Sequence, residues 1–216
     1  MSTRITLIVG LVLVLLAVVF SAAVYDRLPD RMASHWGVND QVNGTTSRFW
    51  GAFLMPVIAL AMLGLFLLIP AIDPLKANIA TFRPIFNAFI VAILAFLTYL
   101  HVLTVLWNLG YQGFRMSMAV VPGIGLIFIL AGLLMRSAKR NFFIGIRTPW
   151  TLSSDRVWAQ THRLGSLLFV LCGVIAMLAI FAPGPIAFSL VIVPILVVSL
   201  ALVVYSYLLY RRETQS

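Results

Sequence analysis

A polar stretch between two strongly apolar ones, residues 139–163, brings hydroxyl, imidazole, carboxyl and basic side chains together. Ser153, Ser154 and His162 are the residue types of a hydroxyl nucleophile and its general base. Helix capping accounts for the serines and helix packing for His162, and no third group is placed to orient the imidazole. The sequence therefore predicts no catalytic residue, and we expect that the protein is not an enzyme.

A second polar set lies within an apolar segment upstream. Asn87, His101 and Asn108 are separated by multiples of seven residues, so they share one face of a helix, with Thr104 beside them. Polar side chains inside a membrane mark either a solute or ion pathway or hydrogen bonds between helices. Because no apolar segment contains a carboxylate, hydrogen bonding between helices is favoured.

The composition indicates whether the chain is a soluble protein or a membrane protein. Hydrophobic residues make up 62% of the 216 positions and charged residues only 10%, with a mean hydropathy of +1.07. Since about a quarter of the residues in soluble domains are charged, an integral membrane protein is expected. The net charge of +9 then reflects orientation in the bilayer rather than nucleic-acid binding. The single Cys172 provides neither a disulfide nor a cysteine-based metal site, and no cofactor or metal is expected.

Six apolar segments are long enough to cross a hydrocarbon core of about 30 Å as helices. Their continuous hydrophobicity favours helices over the alternating strands of a barrel. The sequence thus predicts an all-α polytopic membrane bundle in a single domain, with helices one and two in 1–84 and helices three to six in 85–216. The first segment also resembles a signal peptide, but its length favours an uncleaved helix. The predicted helices span 5–25, 49–69, 85–107, 118–135, 164–181 and 186–210.

Lysine and arginine are distributed unevenly between the two sides of the membrane. Eleven lie on the side of the two termini, and four lie on the other side. Because cytoplasmic loops are enriched in these residues, both termini and the loop 136–163 are expected in the cytoplasm, with the loop 26–48 outside. The predicted location is the cell membrane, with several passes.

The cytoplasmic loop has the local features of a built surface. Pro149 holds the residue before it extended, and one of two serines followed by Asp155 supplies a helix N-cap with a negative charge at the positive end of the dipole. A helix should begin there, with Trp158, His162 and Gly165 on one face. The arginines could serve only to orient the chain in the membrane, and the tryptophans only to anchor it at the interface. These roles do not explain why so many hydrogen-bond donors, capping groups and aromatic rings occur together in this loop. We expect a surface for a cytoplasmic partner.

The outer loop, residues 26–48, is too long to be a mere connector. Its proline, glycine and asparagine residues indicate a compact, turn-rich excursion, with a tight turn at Asn43-Gly44. Its aspartates and His35 are suitable cation ligands, but their spacing matches no closed metal site. A solvated loop held by salt bridges and anchored by Trp36 at the headgroup level is favoured.

The other connections are short. The link 70–84 is predicted to be a rigid turn, with Pro84 in the first turn of helix three. Residues 182–185 are predicted to form a tight outer turn. Close helix packing is expected at the glycines of helix four, Gly123, Gly125 and Gly132.

The run from Asn141 to Gly165 closely resembles the signature of the SdpI-type membrane immunity family, most specifically in the Thr-Pro-Trp-Thr-Leu-Ser sequence at 148–153. The outer loop is similar to a domain of unknown function found at the N-terminus of many members, at Leu28, Pro29, His35, Trp36, Gly37 and Asp40. The link is similar to the segment that joins these two regions, at Asp73, Pro74, Asn78 and Phe82. Ala33-Ser34 departs from the Pro-Thr of the family.

The resemblance implies a membrane protein that protects its cell from a secreted peptide toxin and draws a small transcriptional repressor to its cytoplasmic face. Its partners would be the lipid bilayer, the toxin and the repressor, without direct contact with nucleic acid. The toxin-binding candidates of the outer loop are Pro29, His35, Trp36 and Asp40. The partner-binding candidates of the cytoplasmic loop are Asn141, Gly145, Arg147, Thr148, Pro149, Trp150, Ser154, Trp158 and His162.

A small-solute transporter or channel remains the alternative function. It would use the face that carries Asn87 and His101 as part of a path through the membrane. The sequence has no internal repeat, no broken helices in matched halves and no intramembrane acid, and all three absences weigh against transport.

Overall fold

The structure, a computed structural model, describes residues 1–215 and is dominated by helices. The helices are α1 Thr3–Val24, α2 Arg48–Ile72, α3 Lys76–Asn108, α4 Met116–Ser137, α5 Pro149–Ser153, α6 Asp155–Leu178 and α7 Gly184–Gln215. Short 3-10 turns follow α1 at Tyr25–Arg27 and α6 at Ala179–Phe181. By length and composition, six of the helices in the described part of the chain can cross a membrane, which confirms the predicted all-α membrane bundle.

Helix α3 begins earlier than predicted, so the prediction of a rigid turn over 70–84 is wrong. The link between α2 and α3 is only three residues, and Pro84 lies in the interior of α3. Proline inside a helix costs about 3 kcal/mol. The residues before it nevertheless stay helical because Ile79 and Phe82 are buried, and each buried side chain of this kind contributes about 1.5–3 kcal/mol.

The helices form two groups that meet mainly along α3 and α4. Helices α1, α2 and α3 pack on one another, and so do α4, α6 and α7. In the second group, a Cβ added to Gly125 would lie 2.6 Å from the Gly173 carbonyl oxygen, and one added to Gly132 would lie 2.7 Å from that of Ser166. The predicted close-packing role of these helix-four glycines is therefore confirmed, and Gly123 packs in the same way against Phe96.

The polar residues of α3 bind other elements of the first group. Asn87 and His101 are buried, and Asn108 is half-buried, as their shared spacing predicts. His101 Nε2 lies 2.8 Å from Ser21 Oγ, which donates to the Ala52 carbonyl at 2.7 Å. Because the Ser21 hydroxyl has a single proton, His101 Nε2 must be the donor between them. This network joins α1, α2 and α3.

The two asparagines of this face also bind groups outside α3, Asn87 from the interior of the helix and Asn108 from its last residue. Asn87 Nδ2 donates to the Met1 carbonyl and to Thr3 Oγ1 at the start of α1. Asn108 Oδ1 accepts from Ala33 N at 2.7 Å while its Nδ2 donates to the Ala33 carbonyl at 3.0 Å. These contacts agree with the favoured role of hydrogen bonding between elements.

The outer loop folds into an antiparallel hairpin of β1 Arg31–Trp36 and β2 Val42–Ser47. The predicted turn at Asn43-Gly44 is wrong, because Gly44 lies within β2 opposite His35. The chain instead reverses over 37–41, where Asp40 adopts a positive φ of 60°. Asp tolerates this conformation, and tertiary hydrogen bonds to its carboxylate hold it there.

Candidate functional site

The hairpin covers the outer ends of α1, α2 and α3. Met32 is fully buried over Gly51 of α2, where an added Cβ would lie 2.9 Å from Met32 Cβ. Arg48 Nη2 lies 2.6 Å from Asp30 Oδ1 and closes the base of the hairpin. The loop is therefore held by a salt bridge, as predicted, and also by apolar packing on the helices.

The toxin-binding candidates occupy different environments within the hairpin. Pro29 and His35 are exposed, and His35 Nδ1 donates to Asn43 Oδ1 at 2.5 Å. Trp36 is half-buried and packs edge-to-face on Trp107 of α3, with ring centroids 5.7 Å apart. Aromatic packing thus positions Trp36 together with the outer end of α3.

Asp40, the fourth candidate, binds the beginning of α4. Its Oδ1 accepts from Ser117 N at 2.7 Å, and its Oδ2 accepts from Ser117 Oγ at 2.7 Å and from Arg115 Nε at 3.0 Å. The carboxylate therefore caps α4 from outside its own chain segment. Burial of the carboxyl opposes its ionisation, but the hydrogen bonds from Ser117 and Arg115 prevail, and the pKa of Asp40 lies below its ordinary value of 3.8.

The tip of the hairpin also touches the second helix group at α7. A Cβ added to Gly184, the first residue of α7, would clash with the Val38 carbonyl oxygen. The hairpin lies between α1 and α2 of the first group in the chain, and its tip contacts α4 and α7. It consequently joins the two groups on the outer side.

The cytoplasmic loop between α4 and α5, residues 138–148, folds around the side chain of Asn141, which is fully buried. Its Nδ2 donates to the carbonyls of Lys139 and Ile144, both at 2.9 Å. Its Oδ1 accepts from Phe143 N at 3.0 Å and Ile144 N at 2.6 Å. The whole hydrogen-bonding capacity of the Asn141 side chain is thus used to shape the loop.

His162 supports the next part of this loop. Its Nε2 accepts from Ile146 N at 3.0 Å, so its proton is on Nδ1, which donates to the Trp158 carbonyl at 2.9 Å. Two roles of this kind require a neutral imidazole. Trp158 stacks on the ring at 3.9 Å between centroids, and its Nε1 donates to the Ala138 carbonyl at 2.8 Å.

Gly145 is required by this arrangement. Its φ is +112°, which side chains of L residues rarely adopt, and an added Cβ would clash with His162 Nε2. Two predicted residues, Gly145 and His162, are therefore parts of one structural unit.

The Thr148-Pro149-Trp150-Thr151 run begins the short helix α5 through a reciprocal cap. Thr151 N donates to Thr148 Oγ1 at 3.1 Å, and Thr148 N donates to Thr151 Oγ1 at 2.9 Å. Thr148 Oγ1 also lies 3.0 Å from Ser206 Oγ of α7. The Trp150 ring lies 5.1 Å from that of Tyr207 on the same helix. Sequence reasoning anticipated the extended residue before Pro149 but missed α5 and its attachment to α7.

The start of α6 agrees with the predicted cap. Ser154 Oγ accepts from Val157 N at 3.2 Å, and Asp155 follows in the first turn. Asp155 Oδ1 pairs with Arg140 Nε at 2.8 Å, while Arg140 Nη1 donates to the Leu152 carbonyl at 2.9 Å. Arg140 thereby closes the loop onto α5 and α6.

Two residues outside the candidate set tie this loop to the first helix group. Asp73 is buried in the link between α2 and α3, and its Oδ2 accepts from Phe142 N at 2.9 Å. Asn78 Nδ2 donates to the Arg140 carbonyl at 2.8 Å. The available signal was the resemblance of the link at Asp73 and Asn78 to the corresponding segment of the family, but nothing local to Asp73 identifies its partner.

The candidate residues therefore form two separate sites at the opposite ends of α4. The outer residues lie on the hairpin, and the cytoplasmic residues lie together in 141–162. Of the cytoplasmic set, Asn141, Thr148, Trp158 and His162 are buried, whereas Arg147 and Pro149 are exposed. The face of α3 that carries His101 belongs to neither site. Within residues 1–215, His, Cys, Asp and Glu form no group that could hold a metal ion.

Comparisons with known proteins match both sites. Residues 137–208 match the model of the SdpI/YfhL protein family, and residues 12–60 match a domain of unknown function, DUF1648. The chain is 28% identical to the immunity protein SdpI of Bacillus subtilis (strain 168) over 205 aligned residues. The alignment covers 95% of this chain and 96% of that relative. No solved structure matches the chain.

Proposed function

Because residues 137–208 of this multi-pass membrane protein match the SdpI/YfhL family and the whole chain is similar to an immunity protein, we propose that it is an immunity protein that protects its cell from a secreted peptide toxin and recruits a transcriptional repressor to its cytoplasmic face. One observation carries the proposal. Helix α4 is capped outside by Asp40 of the hairpin and continues inside directly into the loop 138–148. The two candidate sites are thus the two ends of one helix.

The hairpin is suited to receive a peptide on the outer side. It exposes Pro29 and His35, and the neighbouring Trp36 offers an aromatic ring. The strands are short, six residues each, and their edges can supply main-chain hydrogen bonds to an extended peptide. A toxin that binds there would lie beside the contact between Asp40 and Arg115.

Signalling requires that the toxin prefer one of two arrangements of the helices. The contacts between the hairpin tip and α4 are polar and only partly buried, so a ligand with polar groups can replace them with contacts of its own. A shift of α4 at this end would move the loop 138–148 at the other end. The contact between Phe142 and Asp73 would then change, because these residues belong to different helix groups.

The cytoplasmic loop divides its proposed roles between buried and exposed side chains. Asn141, Trp158 and His162 hold the shape of the loop from within and act on a partner through that shape. Arg147 is exposed and Trp150 is half-buried against Tyr207, and these two are the proposed contact residues. Arginine and tryptophan are both enriched among the residues that contribute most to the binding energy of protein interfaces.

The immunity proposal is tested by expression of the chain in a host that is sensitive to secreted peptide toxins. We expect protection against one toxin class, reduced in His35→Ala and Trp36→Ala and retained in Asp26→Asn, a control at an exposed residue of the same loop. Western blotting must show equal membrane levels. Unchanged killing by every related toxin would contradict the proposal.

The signalling proposal is tested by membrane recruitment of a co-encoded regulator in the presence of the protective toxin. Arg147→Ala and Trp150→Ala should abolish recruitment while protection persists. Arg4→Ala, an exposed cation on the same face, is the matched control. Recruitment that is unaffected by both substitutions would remove the cytoplasmic half of the proposal and leave immunity intact.

A further inference from the structure

An apolar cavity of about 270 Å³ lies where the two helix groups meet in the cytoplasmic half of the bundle. Its walls include Phe66 of α2, Phe86 and Phe89 of α3 and Ala131 of α4, and residues 143–146 of the cytoplasmic loop close one end. All the lining side chains are apolar. Water in a cavity needs two to four polar partners, so a space of this kind binds hydrocarbon rather than water.

The position of the cavity along α3 places it at the depth of lipid chains. Helix α3 has 33 residues and is about 50 Å long at ~1.5 Å per residue, so it exceeds a hydrocarbon core of about 30 Å. The polar first turns precede Pro84, and the apolar part follows. From this hydropathy pattern we infer that Phe86 and Phe89 lie on the hydrocarbon side of Pro84 and that Arg83 lies on its cytoplasmic side, near the level of the phosphates.

Arg83 places a cation beside one wall of the cavity. Its guanidinium lies over the ring of Phe86, 5.8 Å from the centroid, and Phe86 is part of the cavity wall. The Arg83 Nε is buried without a hydrogen-bond partner, and none of the three ion pairs in the described chain includes this residue. A planar guanidinium with free donors matches the oxygens of a phosphate.

We propose that this cavity binds an anionic phospholipid of the inner leaflet, with an acyl chain between the two helix groups and the phosphate on Arg83. The charge of Arg83 and the apolar walls below it together match the two parts of such a molecule. The bound chain would contact residues 143–146, so the lipid also supports the cytoplasmic loop. This site does not depend on the proposed immunity function.

The test uses the full chain, purified in mild detergent and exchanged into mixtures of phosphatidylglycerol and phosphatidylcholine, with retained lipids counted by native mass spectrometry. The wild type should retain one phosphatidylglycerol in preference to phosphatidylcholine. Arg83→Gln should weaken this retention about tenfold, the factor for one lost charge-assisted contact. Arg163→Gln, which removes another exposed cation of the cytoplasmic side, should have no effect.

The acyl-chain part of the site is tested by filling the cavity. Ala131→Phe should abolish retention of either lipid, whereas Ala95→Phe, at an exposed position of α3, should not. Ala131→Val and Ala131→Leu add less volume and should lower retention stepwise, and circular dichroism checks that each variant is folded. Equal retention of both lipids by the wild type, or full retention by folded Ala131→Leu and Arg83→Gln variants, would overturn the proposal.

Discussion

At the scale of single residues, buried polar side chains hold this protein together at specific points. His101 Nε2 and Ser21, Asn108 and Ala33, and His162 and Ile146 each join segments that lie far apart or turn sharply. A polar group left without a partner in an apolar surrounding costs about 1–3 kcal/mol, so such residues have little freedom to change. The pairing of the α3 residues with protein groups also agrees with a bundle-forming role and offers no support for a solute path.

Gly145→Ala is expected to destabilise the cytoplasmic loop. Its positive φ costs a non-glycine residue about 1–3 kcal/mol, and the new methyl group would displace the His162 ring from Ile146. Thermal unfolding in detergent, followed by tryptophan fluorescence, should show a lower midpoint. Gly113→Ala is the control, because an added Cβ there meets nothing within 4 Å. Equal midpoints for the two variants would contradict the prediction.

At the scale of elements, caps decide where helices begin and how they are attached. Helix α4 takes its cap from Asp40 of the hairpin, α5 begins with a reciprocal pair of threonines, and α6 begins at Ser154. The α5 cap also binds α7 through Ser206. The caps of α4 and α5 therefore also fix the position of one element relative to another, in addition to starting a helix.

Thr151→Val should weaken the attachment of α5. The substitution keeps the shape of the side chain but leaves Thr148 N buried without its acceptor, which costs about 1–3 kcal/mol. Hydrogen exchange should become faster in residues 148–153 than elsewhere in the loop. Ser153→Ala removes an exposed hydroxyl that donates only to the Pro149 carbonyl, and exchange in that variant should match the wild type.

Asp40→Asn should loosen the hairpin tip in a manner that depends on pH. The pKa of Asp40 in the folded protein is lowered, so its contribution to stability is complete above the ordinary value of 3.8 and is lost as the pH falls through the folded pKa. The difference in unfolding midpoint between wild type and variant should be constant from about pH 5 to 8 and shrink below about pH 4. A difference that shrinks near neutrality would contradict the assignment to this carboxylate.

At the scale of the whole molecule, two helix groups are joined at both membrane faces by aspartates of the first group. Asp40 binds the beginning of α4 on the outer side, and Asp73 binds Phe142 N on the cytoplasmic side. Between them the groups meet along α3 and α4 and leave the apolar cavity that ends at residues 143–146. This arrangement permits one group to move relative to the other at the expense of a few polar contacts.

Asp73→Ala should release the cytoplasmic loop from the first group without unfolding the helices. Phe142 N and Leu75 N both lose their acceptor, and the loop 138–148 should open more often. Limited trypsin digestion should then cut faster at Lys139 and Arg140, while the circular dichroism of the helices is unchanged. Asp26→Asn serves as the control, and equal cleavage rates for both variants would show that Asp73 does not restrain the loop.

The sequence by itself determined that the chain lies in a membrane, the number of spans, the inward face of α3 and the start of α6. These follow from composition, length, periodicity and contacts within a few residues, which are local quantities. Only the tertiary structure decided the hairpin register, the early start of α3, the attachment of α5 to α7 and the pairs Asp40–Ser117 and Asp73–Phe142. The two pairs join residues that are 77 and 69 positions apart in the chain, and no periodic pattern in the sequence identifies the partners. Burial of Ile79 and Phe82 likewise outweighs the local preference of Pro84, because packing free energy depends on neighbours in space.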